Sequence, residues 1–343
     1  TGVINDRAWG LEGKTVPERV AAAINGGTET LSGFNDVKTI TDLVAAGLVS
    51  EARVTEAARR LLQPMFELGL FENPYADEDK AGAVVGQSAF REAGLDVQRK
   101  SIVLLQNNKA LPVATGAKVY TMGLDTADAQ KVFAQVINGE AGADGKPLAR
   151  DAAGNVTGRL SAAGFDRAII RVEVGNVGTG VYRSKDPTTG ANPAFVNPLT
   201  GKVWGATDQC ITHPAANPLC VDDGHLGAPQ PLGLVFGGAF PWEANNLSFT
   251  TMAASKSWRL SPTLADIQAV MKEIGADKVV LSINFRQPYV IDEASGFRQA
   301  GAIVAGIGVS NTALLDVLSG KAGPQGKLPF ALASNLQAVI DNQ

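Results

Sequence analysis

Residues 264–283, LADIQAVMKEIGADKVVLSI, hold a helix followed by a strand. Leu264, Ile267, Val270 and Met271 recur at helical spacing, and Val279-Val280-Leu281-Ser282-Ile283 is a short apolar run of strand length. The rhythm continues outward from there. Ala302-Ile303-Val304-Ala305 leads to a helix near Ala313 to Leu318, and upstream Lys118 to Met122 predicts a strand, Ala127 to Ile137 a helix and Arg167 to Val174 another strand. Alternation of this kind implies an α/β layer structure with a largely parallel sheet.

From Val16 to Leu70 the pattern is helix, short strand, helix, helix. Pro17 suits the first turn of a helix through Ala21 to Ile24, and Gly26-Gly27 stops it. Thr28-Glu29-Thr30-Leu31 reads as a short strand. Asn35 or Asp36 can cap a helix carrying Val37, Ile40, Leu43 and Val44, ended by Gly47, and Ser50 caps a third with Val54, Ala58, Leu61, Met65 and Leu68 on one face and a kink expected at Pro64. Asn73-Pro74-Tyr75-Ala76-Asp77 then reads as a linker.

The composition narrows the function classes. With 343 residues, 45% apolar and 19% charged, plus 38 glycines and 17 prolines, the chain is neither disordered, collagenous nor coiled coil. A net charge of −4 gives no basic field for phosphates, so a nucleic-acid partner is not expected and a neutral small ligand fits better. No apolar run reaches the roughly 18 to 20 residues of a spanning helix. Thr1-Gly2-Val3-Ile4 lacks the features of a signal peptide and reads as a strand in mid-course, as in a fragment of a longer protein.

Residues 175–238 have weak periodicity and abundant Gly, Pro, Asn, Thr and Asp, and read as a long loop insertion. Cys210 and Cys220 lie within it, where a disulfide would staple a loop with little core of its own and place the protein in an oxidising compartment, periplasmic or secreted. Two unpaired thiols are the alternative. Tyr182, Arg183 and Trp204 are candidates for a lid over the site or for a dimer arm. Asp222, Asp223 and His225 are too few and too common a set to claim a metal site.

Three segments carry a family resemblance. Arg59 to Tyr75, RRLLQPMFELGLFENPY, resembles the end-of-barrel helix and exit of glycoside hydrolase family 3, the β-glucosidase and exoglucosidase family. Arg91-Glu92-Ala93, then Lys100 to Asn107 with Leu111-Pro112, resembles the entry to that family's second domain, and Gly326 to Leu332, GKLPFAL, its closing turn. The resemblance implies the end of a (β/α)8 barrel in residues 1–72, a linker at 73–90, and an α/β sandwich over 91–343 interrupted by the insertion. It also implies a retaining mechanism that uses two carboxyl groups about 5 to 5.5 Å apart and no metal or organic cofactor.

By the same resemblance, the attacking aspartate belongs to a "SDTG" motif of which Thr1-Gly2 are the last residues, so it is expected just before Thr1, in a preceding barrel segment. Asp6 fits that role less well. Thr1, Arg7 and Trp9 would lie beside the sugar, Trp9 by stacking on its apolar face. The acid/base is placed at Glu243, because Phe240-Pro241-Trp242-Glu243 followed by Asn246-Leu247 resembles the family's proton-donor segment; Trp242 would be the apolar wall that keeps such a carboxyl protonated. Glu173, at the end of the strand Ala168 to Val172, is the second candidate, against the plainer reading of a solvent-facing strand end. Arg286 is expected to be structural, pairing Asp292 or Glu293.

The expected activity is an exo-acting β-glycosidase that releases glucose from β-glucosides or short β-glucans. The alternatives are a non-catalytic carbohydrate-binding or structural α/β module, a β-N-acetylglucosaminidase of the same family, and a self-cleaved enzyme with an N-terminal threonine nucleophile. A homodimer through the insertion is a further expectation.

Overall fold

The computed structural model describes residues 14–176, 183–185, 193–196, 203–204, 248–256, 258–335 and 337–338. They divide into two compact units, one up to Val85 and the other from Gly86 onward.

The described part of the first unit is helical: α1 (Val16–Asn25), α2 (Val37–Ala45), α3 (Glu51–Glu67) and α4 (Glu78–Val84). The helix starts follow from their caps. Glu18 reaches back to accept the Thr15 backbone N–H at 2.7 Å, Asp36 accepts from the Thr39 amide at 3.2 Å, and Ser50 Oγ accepts from the Arg53 amide at 3.1 Å. Val20, Ile24, Leu43 and Val49 form the core, with Leu31, Phe34 and Ile40 packed around them. The strand expected at Thr28–Leu31 is absent. No strand is found among the unit's described residues, so this segment has no ladder to join; it is an irregular turn whose Glu29 carboxylate receives Arg53 at 3.3 Å and Arg60 at 2.9 Å.

The second unit opens with α5 (Ser88–Ser101) and β1 (Val103–Asn107), then β2 (Lys118–Met122), α6 (Thr126–Gln130), β3 (Gln135–Asn138) and β4 (Arg167–Asn176). Next come β5 (Arg183–Lys185), β6 (Pro193–Val196) and β7 (Val203–Trp204), followed by α7 (Phe249–Ala254), β8 (Trp258–Ser261), α8 (Leu264–Ile274), β9 (Val279–Asn284), β10 (Ala302–Gly306) and α9 (Asn311–Leu318). The helix expected over Ala127–Ile137 is only one turn long. Its second half becomes β3, because Val136 and Ile137 are β-branched and gain parallel pairing with Val119 and Tyr120. The insertion also differs from a featureless loop: β5, β6 and β7 form a small antiparallel sheet.

The main sheet runs β1-β10-β9-β4-β2-β3, with β8 on the far half of β4. β10, β9, β4, β2 and β3 are mutually parallel, while β1 pairs antiparallel with β10 and β8 with β4. Strand periodicity sends alternate side chains to opposite faces, and both faces are covered. Tyr120, Met122, Ile170, Val172, Leu281 and Ile283 meet α7 and α8 through Phe249, Met252, Ile267 and Val270. Val119, Ile169, Val280 and Val304 meet the layer that holds Ala129, Leu314 and Leu318. Burial on both faces explains why β9 and β10 read as continuous apolar runs.

Candidate functional site

Strand order fixes where this fold can hold a ligand. In chain order the parallel strands are β2, β3, β4, β9 and β10, so the chain steps from β2 to one side and then returns to build outward on the other. The crevice beyond the carboxyl ends of β2 and β4, where the direction reverses, is the usual ligand position in open α/β sheets.

A polar network occupies that end. Arg171 donates from Nε to Glu173 Oε1 at 3.0 Å, from Nη1 to Asn311 Oδ1 at 2.7 Å and from Nη2 to the Val309 carbonyl at 3.0 Å. Asn284, the last residue of β9, donates from Nδ2 to Glu173 Oε2 at 2.7 Å while its Oδ1 accepts the Gly308 amide at 2.9 Å. Both halves of the Asn284 amide are therefore engaged, which fixes its orientation. On the β2 side, Glu140 accepts the Gly123 amide at 2.5 Å and Arg150 at 2.6 Å. Close by in the same unit, burial pushes the pKa of the Tyr289 hydroxyl up, against the opposing backbone amide and charge of Arg286, and the negative charge of Glu173 adds to that rise.

Glu173 is thus described, at the carboxyl end of β4 with its side chain 34% exposed. It is not a free strand-end residue. Arg286 departs from expectation: among the described residues no ion pair joins it to Asp292 or Glu293. Asp292 instead accepts from the Thr250 hydroxyl and from the Ser295 amide at 3.0 Å, capping a one-turn helix that begins at Glu293. Thr1, Asp6, Arg7, Trp9, Tyr182, Cys210, Asp222, Asp223, His225, Cys220, Trp242 and Glu243 lie outside the described residues, and Arg183 and Trp204 are described only as strand backbone.

Arg171, Asn284 and Asn311 were not singled out from the sequence. The available signal was a polar residue next to an apolar strand run, Ile170-Arg171 and Ile283-Asn284. A concavity of about 700 Å³ beside β3, lined by Phe133, Gln135, Ile137 and Phe165, lies at the sheet edge and has none of these residues in its wall.

No family model matches the chain. Over 130 residues it is 36% identical to the periplasmic β-glucosidase/β-xylosidase of Dickeya chrysanthemi, covering 38% of this chain and 20% of that protein. Over 337 residues it is 25% identical to a probable β-glucosidase C of Aspergillus flavus, covering 97% of this chain and 39% of the relative. A solved β-glucosidase from Listeria innocua in complex with glucose aligns with 95% of this chain and 38% of its own, at 15% identity and a TM-score of 0.46. The sequence relatives make the chain a homologue of glycoside hydrolases. More particularly, it is a homologue of β-glucosidases and spans about two-fifths of the relatives that it matches along most of its length.

Proposed function

We propose that the chain is part of a retaining, exo-acting β-glucosidase that cleaves β-glucosides or short β-glucans. The observation that carries this reading is the alignment of 97% of the chain with a β-glucosidase. Residues 1–72 would be the end of the catalytic barrel, 73–90 a linker and 91–343 the α/β domain. The attacking aspartate is assigned to none of the 343 residues and would come from the part of the protein that the longer relatives have beyond this match.

Glu243 is assigned the acid/base role. It would give its proton to the glycosidic oxygen as the anomeric carbon is attacked, then take a proton from the water that releases the sugar. Thr1, Arg7, Trp9 and Trp242 would line the sugar. The periplasmic relatives support an exported protein, in which Cys210 and Cys220 would pair. Among the described residues no helix is long and apolar enough to cross a membrane.

The test is hydrolysis of aryl β-glucosides by the complete protein and by its Glu243→Gln form, with xylosides in the panel because one relative carries both activities in its name. The variant is expected to lose about 100-fold or more in kcat on poor leaving groups, which need protonation, and far less on dinitrophenolate. Equal rates for the two forms on every leaving group would remove Glu243 from the mechanism.

A further inference from the structure

The β-glucosidase reading leaves the Glu173 network without a task. A strand end that only faced solvent would not need two donors, each held in place by a further contact, to fix one carboxylate. Arg171 is itself only 14% exposed and is held by Asn311 and by the Val309 carbonyl, and Asn284 is locked by the Gly308 amide. Each Glu173 oxygen receives one donor, from Arg171 at 3.0 Å and from Asn284 at 2.7 Å. An ionised carboxyl group accepts at about four lone-pair positions, so two remain. The Glu173 side chain is 34% exposed, so it is not sealed off from solvent. A carboxyl group whose two oxygens both receive donors is arranged to accept rather than to protonate a leaving group, which separates Glu173 from the acid/base role weighed for it above.

We propose that Glu173 is a sugar-binding residue: held by Arg171 and Asn284 at the carboxyl ends of β4 and β9, it accepts a hydrogen bond from one hydroxyl of the substrate ring. Arg171 and Asn284 are its positioning residues. The ligand chemistry follows from the site, since a fixed acceptor beside the reversal point of a parallel sheet suits a neutral polyol better than an anion, which the carboxylate would repel. Hydrogen bonds to a charged acceptor are the stronger kind and discriminate sharply against analogues that lack the donor. This inference rests on the β-glucosidase reading and deepens it.

The experiment measures kcat/KM of the complete protein on 4-nitrophenyl β-glucoside and on its 2-, 3-, 4- and 6-deoxy analogues, for wild type, Glu173→Gln and Glu173→Asp. Wild type is expected to lose about 10- to 100-fold on one deoxy analogue beyond its loss on the others. Glu173→Gln should lose a similar factor on the parent glucoside and less than about threefold more on that same analogue, because the charge is gone and the one remaining acceptor oxygen is contested by Arg171 and Asn284. Glu173→Asp keeps the charge but moves it back by one methylene, so it should show the same loss of discrimination; it carries the comparison if the Gln form does not fold. A purely structural Glu173 would lower activity by one common factor on all five substrates, with the wild-type preference intact, and that result overturns the proposal while leaving the β-glucosidase reading in place. A wild type for which no single hydroxyl matters overturns it as well. A wild type inactive on every β-glycoside overturns both.

Discussion

Gly123 ends β2 at a φ of +68°, and a Cβ built there would lie 2.1 Å from the Arg171 carbonyl oxygen. A side chain is excluded twice, by the left-handed backbone and by a neighbour that is itself main chain and cannot turn aside. Gly123→Ala is expected to destabilise the protein by at least about 2 kcal/mol, read as a lower urea midpoint at unchanged slope. A midpoint within error of wild type would show that β2 and β4 can separate at that end. Gly123 received no attention in the sequence, because one glycine among 38 announces neither its φ nor the strand that will pass beside it. Glu173 was legible as a strand-end acid, since Ile169 to Val172 reads as a strand with the acid beyond it. Its partner Asn284 was not, nor was Asn311 behind Arg171, because both lie more than 100 residues away and only the fold brings them to the same place.

Elements are joined by a few charged contacts, and the one between α8 and the segment before β4 is testable by pH. Glu273 receives Arg159 at 2.5 Å and the Ala162 amide at 2.8 Å. Chiefly through the Arg159 guanidinium, and against the opposing effect of burial, its carboxyl is held below the usual 4.5. A depressed folded-state pKa contributes stability that is present above the unfolded value and is lost as pH falls through the folded one. Glu273→Gln is therefore expected to cost about 1–3 kcal/mol at pH 7, with the gap to wild type closing as acidification proceeds below 4.5, measured by urea unfolding at several pH values. A gap that stays constant over that range would assign the loss to packing instead. The helices and strands themselves were largely readable: Lys118–Met122 matches β2 residue for residue, and Pro17, Asp36 and Ser50 announce the starts of α1, α2 and α3. Two of the misreadings share a cause. Thr28–Leu31 has strand-like residues without a partner strand, and Val136-Ile137 has a helix-like neighbourhood next to an available one.

At the scale of the molecule the two units are unequal. The second buries apolar side chains on both faces of a seven-stranded sheet. The first, among its described residues, has four buried apolar residues at its centre, while on and just after α3 Leu61 is 48%, Phe66 61% and Leu68 72% exposed. So small a core cannot offset the conformational entropy of some seventy residues. Residues 14–85 expressed alone are expected to bind a hydrophobic dye strongly and to melt without a cooperative transition, checked by dye fluorescence and far-ultraviolet circular dichroism. A sharp melt with no dye signal would show that the helices need nothing more. Sequence periodicity revealed the helices of this unit but not the shortage of interior between them, which is a property of the packed whole.

One feature of the sheet reaches beyond this molecule's own chemistry. β4 outruns its parallel neighbours, and its last residues, Glu173 to Asn176, pair antiparallel with Ser261 to Trp258. The chain therefore leaves the sheet after Asn176 and rejoins it at Trp258, and α7, just before that return, packs Phe249 and Met252 into the core. The entropy of closing such a loop grows only with the logarithm of its length, about 0.6 kcal/mol for each doubling. The zipped ends thus work as a socket: evolution, or an engineer, can lengthen or shorten the chain carried between Asn176 and α7 at little entropic cost to the sheet beneath, so long as α7 keeps its place in the core.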